Sequence, residues 1–407
     1  MTQKLPSNGN SLENKLHLKH LELNSLLEIT EAINANLPEE SLYKIFHFTL
    51  IANLNIKKLA LFVLDTDWEC KASYGAASSV KSKVLCDDIL ELKEISRVEG
   101  KIKEFEEFDL VIPIAHKSRM LAYVLVGGMK DYEGQTDIPF IQTFANIILV
   151  AIENKRLARK QLEQEAFRKE MEIARDVQLH LFPSKLPDSA ELKMHASYLP
   201  ALMVGGDYYD YVRLDKDHFL VCIADVSGKG MSAALLMSNF QASLRTLARQ
   251  TQDLKEIVKE LNINIKSSAK GERFITFFGA IINSSRKTLR YINAGHNPPV
   301  LLFNTGEMHV LEKGTTVLGA FDDLPFIEEE EITITEDTML FAYTDGLTET
   351  SNEQDEEFGL DNIMNFVKNN YKADLKKMHE ALFAELNGFK GSRAYPDDIT
   401  FLSCLIS

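Results

Sequence analysis

Four sets of aspartates stand where apolar runs begin or end. The run His218-Phe-Leu-Val-Cys-Ile-Ala is apolar enough for a strand buried on both faces, and it ends in Asp225-Val226-Ser227-Gly228-Lys229-Gly230. Met339-Leu-Phe-Ala-Tyr-Thr ends in the same way in Asp345-Gly346. Asp207 lies directly behind Gly205-Gly206, and Asp397-Asp398 immediately precedes the apolar run Ile399 to Ile406. A carboxylate at the edge of a buried strand is costly unless a cation or a hydrogen-bond donor meets it. Asp-Gly alone signals a turn, and Asp-Asp alone a solvated loop. The joint occurrence of all four at strand boundaries points instead to one shared cation site. An oxygen-only ligand set without His or Cys favours hard ions, Mg²⁺ or Mn²⁺. Four carboxylates roughly neutralise two divalent ions, and two metals sharing a bridging acid can activate a water and hold a phosphate in line.

Those acids need a scaffold of many strands. Extended runs are expected at Met194 to Leu199, Asp217 to Ala224, Phe274 to Ile282, Thr288 to Asn293, Val300 to Phe303, Thr338 to Tyr343 and Ile399 to Ile406. Helical stretches are expected over Gly230 to Arg249, Asp253 to Ser267 and Leu360 to Lys368. Strands and helices do not alternate strictly, so the expected class is α+β rather than a doubly wound sheet.

A different composition precedes Phe182-Pro183, where helix is disfavoured before the proline. Residues 1–21 are polar and read as disordered. Residues 22–152 read as a small domain: helical patterns from Leu21 toward Ile33 and over Ser41 to Ile56, strand runs at Lys58 to Leu64, Leu110 to Ala115 and Leu121 to Gly128, and a closing helix from Ile138 to Ile152. Residues 153–182 carry mixed charge and no Gly or Pro before Pro183, and they read as a connecting helix continuous with the closing one. A heptad threads through Val150, Leu157, Gln164 and Met171, with Phe167 and Ala174 at the offset position. A parallel homodimer through helix 153–182 would bury that stripe.

Composition narrows the function. The 407 residues are 45% hydrophobic and 26% charged, which excludes wholesale disorder. Lys+Arg 45 against Asp+Glu 60 gives a net charge of −15. That balance argues against nucleic acid or an anionic membrane as the main partner, since both require a basic footprint. Cys70, Cys86, Cys222 and Cys404 form no C-x-x-C pair, so a reducing cytoplasm is expected and a disulfide framework is not. No apolar run reaches the roughly 20 residues that span a bilayer, and the polar start shows no secretory signal.

The order of elements over residues 22–155, with the hairpin at 110–128, resembles a GAF domain, a small sensor fold with a central antiparallel sheet. Farther on, GGDYYD (205–210), ADVSGKGMSAAL (224–235), NAGHNPP (293–299), YTDGLTE (343–349) and DDIT (397–400), in this order, resemble the PPM-type metal-dependent serine/threonine phosphatases. More narrowly they resemble the bacterial RsbU/SpoIIE-like branch, whose catalytic domain would here span 183–407. The segment Ala174-Arg-Asp-Val-Gln-Leu-His-Leu-Phe-Pro resembles the helix leading into that domain. The resemblance implies two face-to-face antiparallel sheets flanked by helices. It implies that Asp225 bridges two Mn²⁺ or Mg²⁺ ions and the Val226 carbonyl ligates one of them. Asp345 and Asp397 would complete one metal's shell and Asp207 would serve the other; Asp398 stands where the wider family often has Asn and ranks below Asp397. The implied substrate is a phosphoserine or phosphothreonine on a regulatory protein of the anti-sigma-factor-antagonist type, with an unknown small-molecule or protein signal acting at the sensor. An inactive phosphatase-fold scaffold or sensor/adaptor protein is the alternative.

Some neighbouring features are set aside. Many eukaryotic members have a His where Ser227 stands, which leaves the general acid unassigned; His296 is expected to hydrogen-bond loop backbone. Lys229 is followed by Gly230, so the loop is not a Walker motif. Glu328 to Glu331 reads as a solvated loop, Cys222 as a buried small hydrophobe, and Ser232 has no nearby base.

Overall fold

The computed structural model describes residues 9–54, 56–98, 102–117, 119–128, 137–189 and 191–407. They divide into two compact units, Met1–Glu165 and Ala166–Ser407.

The first unit runs α1 (Gly9–Asn34), α2 (Glu39–Leu54), β1 (Lys58–Leu64), β2 (Trp68–Tyr74), α3 (Asp87–Leu90), β3 (Ser96–Arg97), β4 (Leu110–His116), β5 (Arg119–Gly127) and the start of α4 (Asp137–Leu179). Its five-stranded sheet has the order β2-β1-β5-β4-β3 and is antiparallel throughout. Side chains alternate between the two faces along each strand. Leu59, Leu61, Val124 and Val126 pack on Phe46 and Leu50 of α2 and Phe144 of α4. Ala60, Phe62, Tyr123 and Leu125 pack on Val80, Ile89 and Phe105 on the other side. The chain is helical from Gly9, which corrects the disorder expected for residues 1–21 as far as they are described; residues 1–8 lie outside the described set. The segment from Ser11 to Asn24 contains no Pro or Gly and several good helix formers, so it propagates α1 toward the N-terminus. Strand β2 was not expected, because its sequence lacks a continuous apolar run.

Helix α4 is 43 residues long and joins the closing and connecting helices without a break. It stops at Leu179, three residues before Phe182. Leu157, Leu162, Phe167, Ile173 and Val177 are exposed along it.

The second unit comprises β6 (Leu192–Leu199), β7 (Tyr208–Arg213), β8 (His218–Val226), α5 (Met231–Gln250), α6 (Leu254–Ala269), β9 (Ile275–Asn283), β10 (Thr288–Ala294), β11 (Val300–Leu302), β12 (Met308–Val310), β13 (Gly314–Thr315), β14 (Glu330–Thr333), β15 (Thr338–Tyr343), α7 (Asp345–Thr348), α8 (Gly359–Asn370), α9 (Leu375–Lys390) and β16 (Ile399–Ile406). One sheet has the order β13-β10-β9-β8-β7, with β14 also on β10; the other has the order β12-β11-β15-β16-β6. Their inner faces meet through Val221, Ile223 and Phe278 against Leu301, Leu340 and Leu402. Helices α5 and α6 cover the first sheet through Met237, Phe240, Ile257 and Leu261. Helices α8 and α9 cover the second through Ile363, Val367, Met378 and Leu382. The α+β sandwich therefore has four layers.

Two readings change here. Helix α9 and strand β7 were not anticipated. The acidic segment at 328–331, read as a loop, enters β14 at Glu330, where the carboxylate meets Lys313 Nζ at 2.6 Å and Tyr291. Among the described residues no helix is long and apolar enough to cross a membrane.

Candidate active site

The sandwich brings every singled-out aspartate to one end. In the first sheet β7 and β8 are antiparallel, with Tyr208 opposite Ala224, so the residue before β7 and the last residues of β8 share an end. In the second, Tyr343 lies opposite Phe401, which places Asp345 beside Asp397-Asp398. Two threonines join the halves: Asp207 Oδ2 accepts hydrogen bonds from Thr344 Oγ1 at 2.8 Å and from Thr400 Oγ1.

Glycines permit the approach. A Cβ on Gly206 would sit 2.8 Å from the Val226 carbonyl oxygen. Cβ atoms on Gly205 and Gly346 would collide with Asp398. Side chains at these positions would push the Asp207 loop off the end of β8 and α7 off the start of β16.

The carboxyl groups then divide by role. Asp398 accepts from the Ala201 amide on Oδ1 at 2.8 Å and from the Gly206 amide on Oδ2 at 2.7 Å. Both oxygens thus hold the 201–206 loop, and that restraint is its evident work. Asp397 Oδ2 lies 3.0 Å from Lys229 Nζ, which also donates to the Pro396 carbonyl. Among the described residues no ion pair reaches Asp207, Asp225 or Asp345. Burial foremost, then repulsion from Asp345, pushes Asp225 up to about 7. Burial and the Asp225 and Asp398 charges hold Asp207 well above the usual range, despite its two threonine donors. Asp345 is raised by burial and by Asp397. Among the described residues, no three His, Cys, Asp or Glu side chains form a cage ready for a cation. The acids lie within one another's electrostatic reach instead: Asp225 raises Asp207, Asp345 raises Asp225, and Asp397 raises both Asp225 and Asp345.

A cluster of hard oxygen donors whose protonation rises for want of positive charge fits divalent cations such as Mg²⁺ or Mn²⁺. Asp207, Asp225, Asp345, Asp397 and the Val226 carbonyl are the groups at hand to hold them.

Several supporting residues escaped the sequence. Gln178, buried near the end of α4, donates to the Gly205 carbonyl at 2.8 Å and accepts from its amide at 3.2 Å, so the helix end holds the Asp207 loop. Arg273 binds the Ser227 carbonyl at 2.6 Å and Ser232 Oγ at 2.8 Å, fixing the glycine-rich turn after β8. Asp210, fully buried, forms a bidentate pair with Arg245 at 2.7 and 2.9 Å and is a structural acid. His296 corrects one expectation: its ring Nδ1 meets the Thr276 hydroxyl at 2.9 Å rather than loop backbone. Burial lowers its pKa to about 3, so no imidazolium is available there at neutral pH. Cys222 is fully buried with a raised thiol pKa, as expected of an inert core residue.

Comparison with known proteins agrees with this geometry. Residues 215–406 match the family profile of stage II sporulation protein E, SpoIIE. Protein IcfG of Synechocystis sp. is 27% identical over 276 residues, covering 61% of this chain and 43% of that protein. Phosphoserine phosphatase RsbU of Bacillus subtilis is 31% identical over 191 residues, covering 47% and 56%. Phosphoserine phosphatase RsbP of the same species is 27% identical over 184 residues, covering 44% and 45%. The chain spans about half the length of the curated relatives it matches. In fold it is similar to the SiaA-PP2C domain of Pseudomonas aeruginosa, with a TM-score of 0.54 and 20% identity over 60% of this chain and 99% of that one. Residues 215–406 are accordingly similar to the SpoIIE family, and the surrounding sandwich shares the fold of a PP2C domain.

Proposed function

We propose that the protein is a metal-dependent protein serine/threonine phosphatase acting in the cytoplasm on a phosphorylated regulatory protein of the anti-sigma-factor-antagonist type. A GAF-like sensor over residues 22–152 would control it. The observation that carries this reading is Asp225, the penultimate residue of β8, gathered with Asp207, Asp345 and Asp397 at one end of the sandwich and pushed up to about 7 by burial and then by the Asp345 charge. The two relatives named as phosphoserine phosphatases support the substrate class.

Two Mn²⁺ or Mg²⁺ ions would be held by Asp207, Asp225, Asp345, Asp397 and the Val226 carbonyl. When bound, such ions lower the pKa of a coordinated water and offset phosphoryl charge. The chain's own contribution is positional. Thr344 and Thr400 orient Asp207, Asp398 and Gln178 fix its loop, and Arg273 fixes the turn after Asp225. His296, neutral and buried, is not the proton donor to the leaving serine. The exposed apolar residues along α4 support a homodimer paired through helix 153–182.

Manganese-dependent phosphate release from a phosphoserine peptide tests the reading. Asp225→Asn should abolish turnover while the fold persists; activity above a tenth of wild type contradicts the assignment. The second reading is a scaffold without turnover, against which the presence of all four acidic positions weighs. Wild-type protein that releases no phosphate at high concentration with Mn²⁺ would establish that reading instead.

A further inference from the structure

The first unit contains a charged cavity of about 1100 Å³ between α2, the edge strand β2 and the start of the second half of α4. Six cationic side chains line it: Lys44, Lys71, Lys81, Lys155, Arg156 and Arg159. Three acids share the lining, and two of these pair with one guanidinium. Arg156 lies 2.7 Å from Glu39 and 3.3 Å from Asp65. The third, Glu40, is exposed at the start of α2. Lys155 donates to the Asn36 and Leu37 carbonyls at 3.2 and 3.0 Å. Lys44 and Lys81 are exposed and form no ion pair among the described residues. Lys71 pairs with Glu69 and Arg159 with Glu163, so the unpaired positive charge of the lining is concentrated at Lys44 and Lys81, on a chain of net charge −15.

Two polar atoms of the lining lack partners. Tyr43 Oη and His47 Nε2 are buried without a hydrogen bond, one helical turn apart on the face of α2 that lines the cavity. Tyr43 is only 6% exposed, and an unpaired buried hydroxyl is costly. Burial pushes this hydroxyl up to about 12, so it remains a donor. On the opposite face of the sheet Phe62, Val80, Phe105 and Tyr123 pack into an apolar cluster.

We propose that this cavity binds a small molecule bearing two or more phosphoryl groups, held by Lys44 and Lys81 and by the Tyr43 hydroxyl. Its volume suits a ligand of nucleotide size, since small-molecule sites usually run to roughly 300–1,000 Å³. Multiple phosphoryl groups match several separate lysine ammonium groups better than a single carboxylate would. Because Lys155, Arg156 and Arg159 lie on α4, the ligand would touch the helix that also carries Gln178.

Calorimetric titration of the full chain in EDTA at constant ionic strength tests the site, with ATP, pyrophosphate and inorganic phosphate as probes. The expected result is saturable 1:1 binding, with ATP or pyrophosphate at least tenfold tighter than inorganic phosphate. Lys44→Ala with Lys81→Ala should weaken it at least tenfold at an unchanged unfolding temperature, since both side chains are exposed. Tyr43→Phe should weaken it severalfold. Absence of saturable binding at millimolar probe overturns the proposal, as does affinity unaltered in the double lysine variant. Binding retained in Asp225→Asn keeps this site distinct from the phosphatase reading, which stands or falls by the turnover assay alone.

Discussion

Replacing Asp225 by Asn should make the metal-free protein more stable at pH 8 and nearly neutral at pH 4. In the folded chain burial and neighbouring acids push this carboxyl from an ordinary 3.8 up to about 7. Below pH 4 both folded and unfolded forms carry the proton, and the shifted group costs nothing. As pH rises, the unfolded chain releases its proton first and the folded chain keeps it, so stability falls at about 1.4 kcal/mol per pH unit until the folded group ionises near 7. The full penalty is on the order of 4 kcal/mol. Asparagine occupies nearly the same volume without a charge, so the variant escapes this slope. Urea unfolding of both proteins in EDTA at pH 4, 6 and 8 reads the difference directly: the gap should widen with pH and approach its limit above pH 7. Excess Mn²⁺ should narrow the gap at pH 8, since binding at a hundredfold excess over Kd adds about 2.7 kcal/mol to the form that binds. A gap that is the same at all three pH values, or wild type more stable at pH 8 without metal, would refute the claim that Asp225 is an uncompensated charge awaiting a cation.

Other outcomes follow from particular contacts. Arg245→Met strands the buried Asp210 carboxylate, and the urea midpoint should fall by the equivalent of about 3 kcal/mol. Gln178→Ala leaves both polar groups of Gly205 without their partner; stability should drop by about 1–3 kcal/mol, and activation should require more Mn²⁺ while turnover at saturation changes less. An unmoved manganese activation curve would confine Gln178 to packing. Leu157→Glu with Met171→Glu should weaken self-association in sedimentation, and an undiminished dimer would rule out pairing through helix 153–182.

The acids were legible because burying a charge is expensive, so an aspartate at the boundary of an apolar run stands out in one dimension. What supports them was not. Thr344 and Thr400 are ordinary residues of a strand exit and a strand, and only the packing of two sheets makes both face Asp207. Gly205 and Gly346 could be read as turn formers, whereas their importance lies in a neighbour more than fifty positions away. Asp398 looked like a weaker copy of Asp397, yet its two amide contacts give it a different task. Helix α9 was the avoidable miss: Leu375, Met378, Leu382 and Leu386 carry the 3/4 spacing of a buried helix face. Strand β7 was hidden by its polar residues, since Asp210 is tolerable there only because Arg245 reaches it from α5.

The placement of β16 has a consequence for biosynthesis. It lies in the middle of its sheet, between β15 and β6, and forms eight residue pairs with β6, which emerges from the ribosome some two hundred residues earlier. Until residues 397–406 are translated, β6 lacks the strand beside it in the sheet and the nascent 201–206 loop lacks the Asp398 carboxylate that anchors it. The domain is thus obliged to mature after most of its length is made.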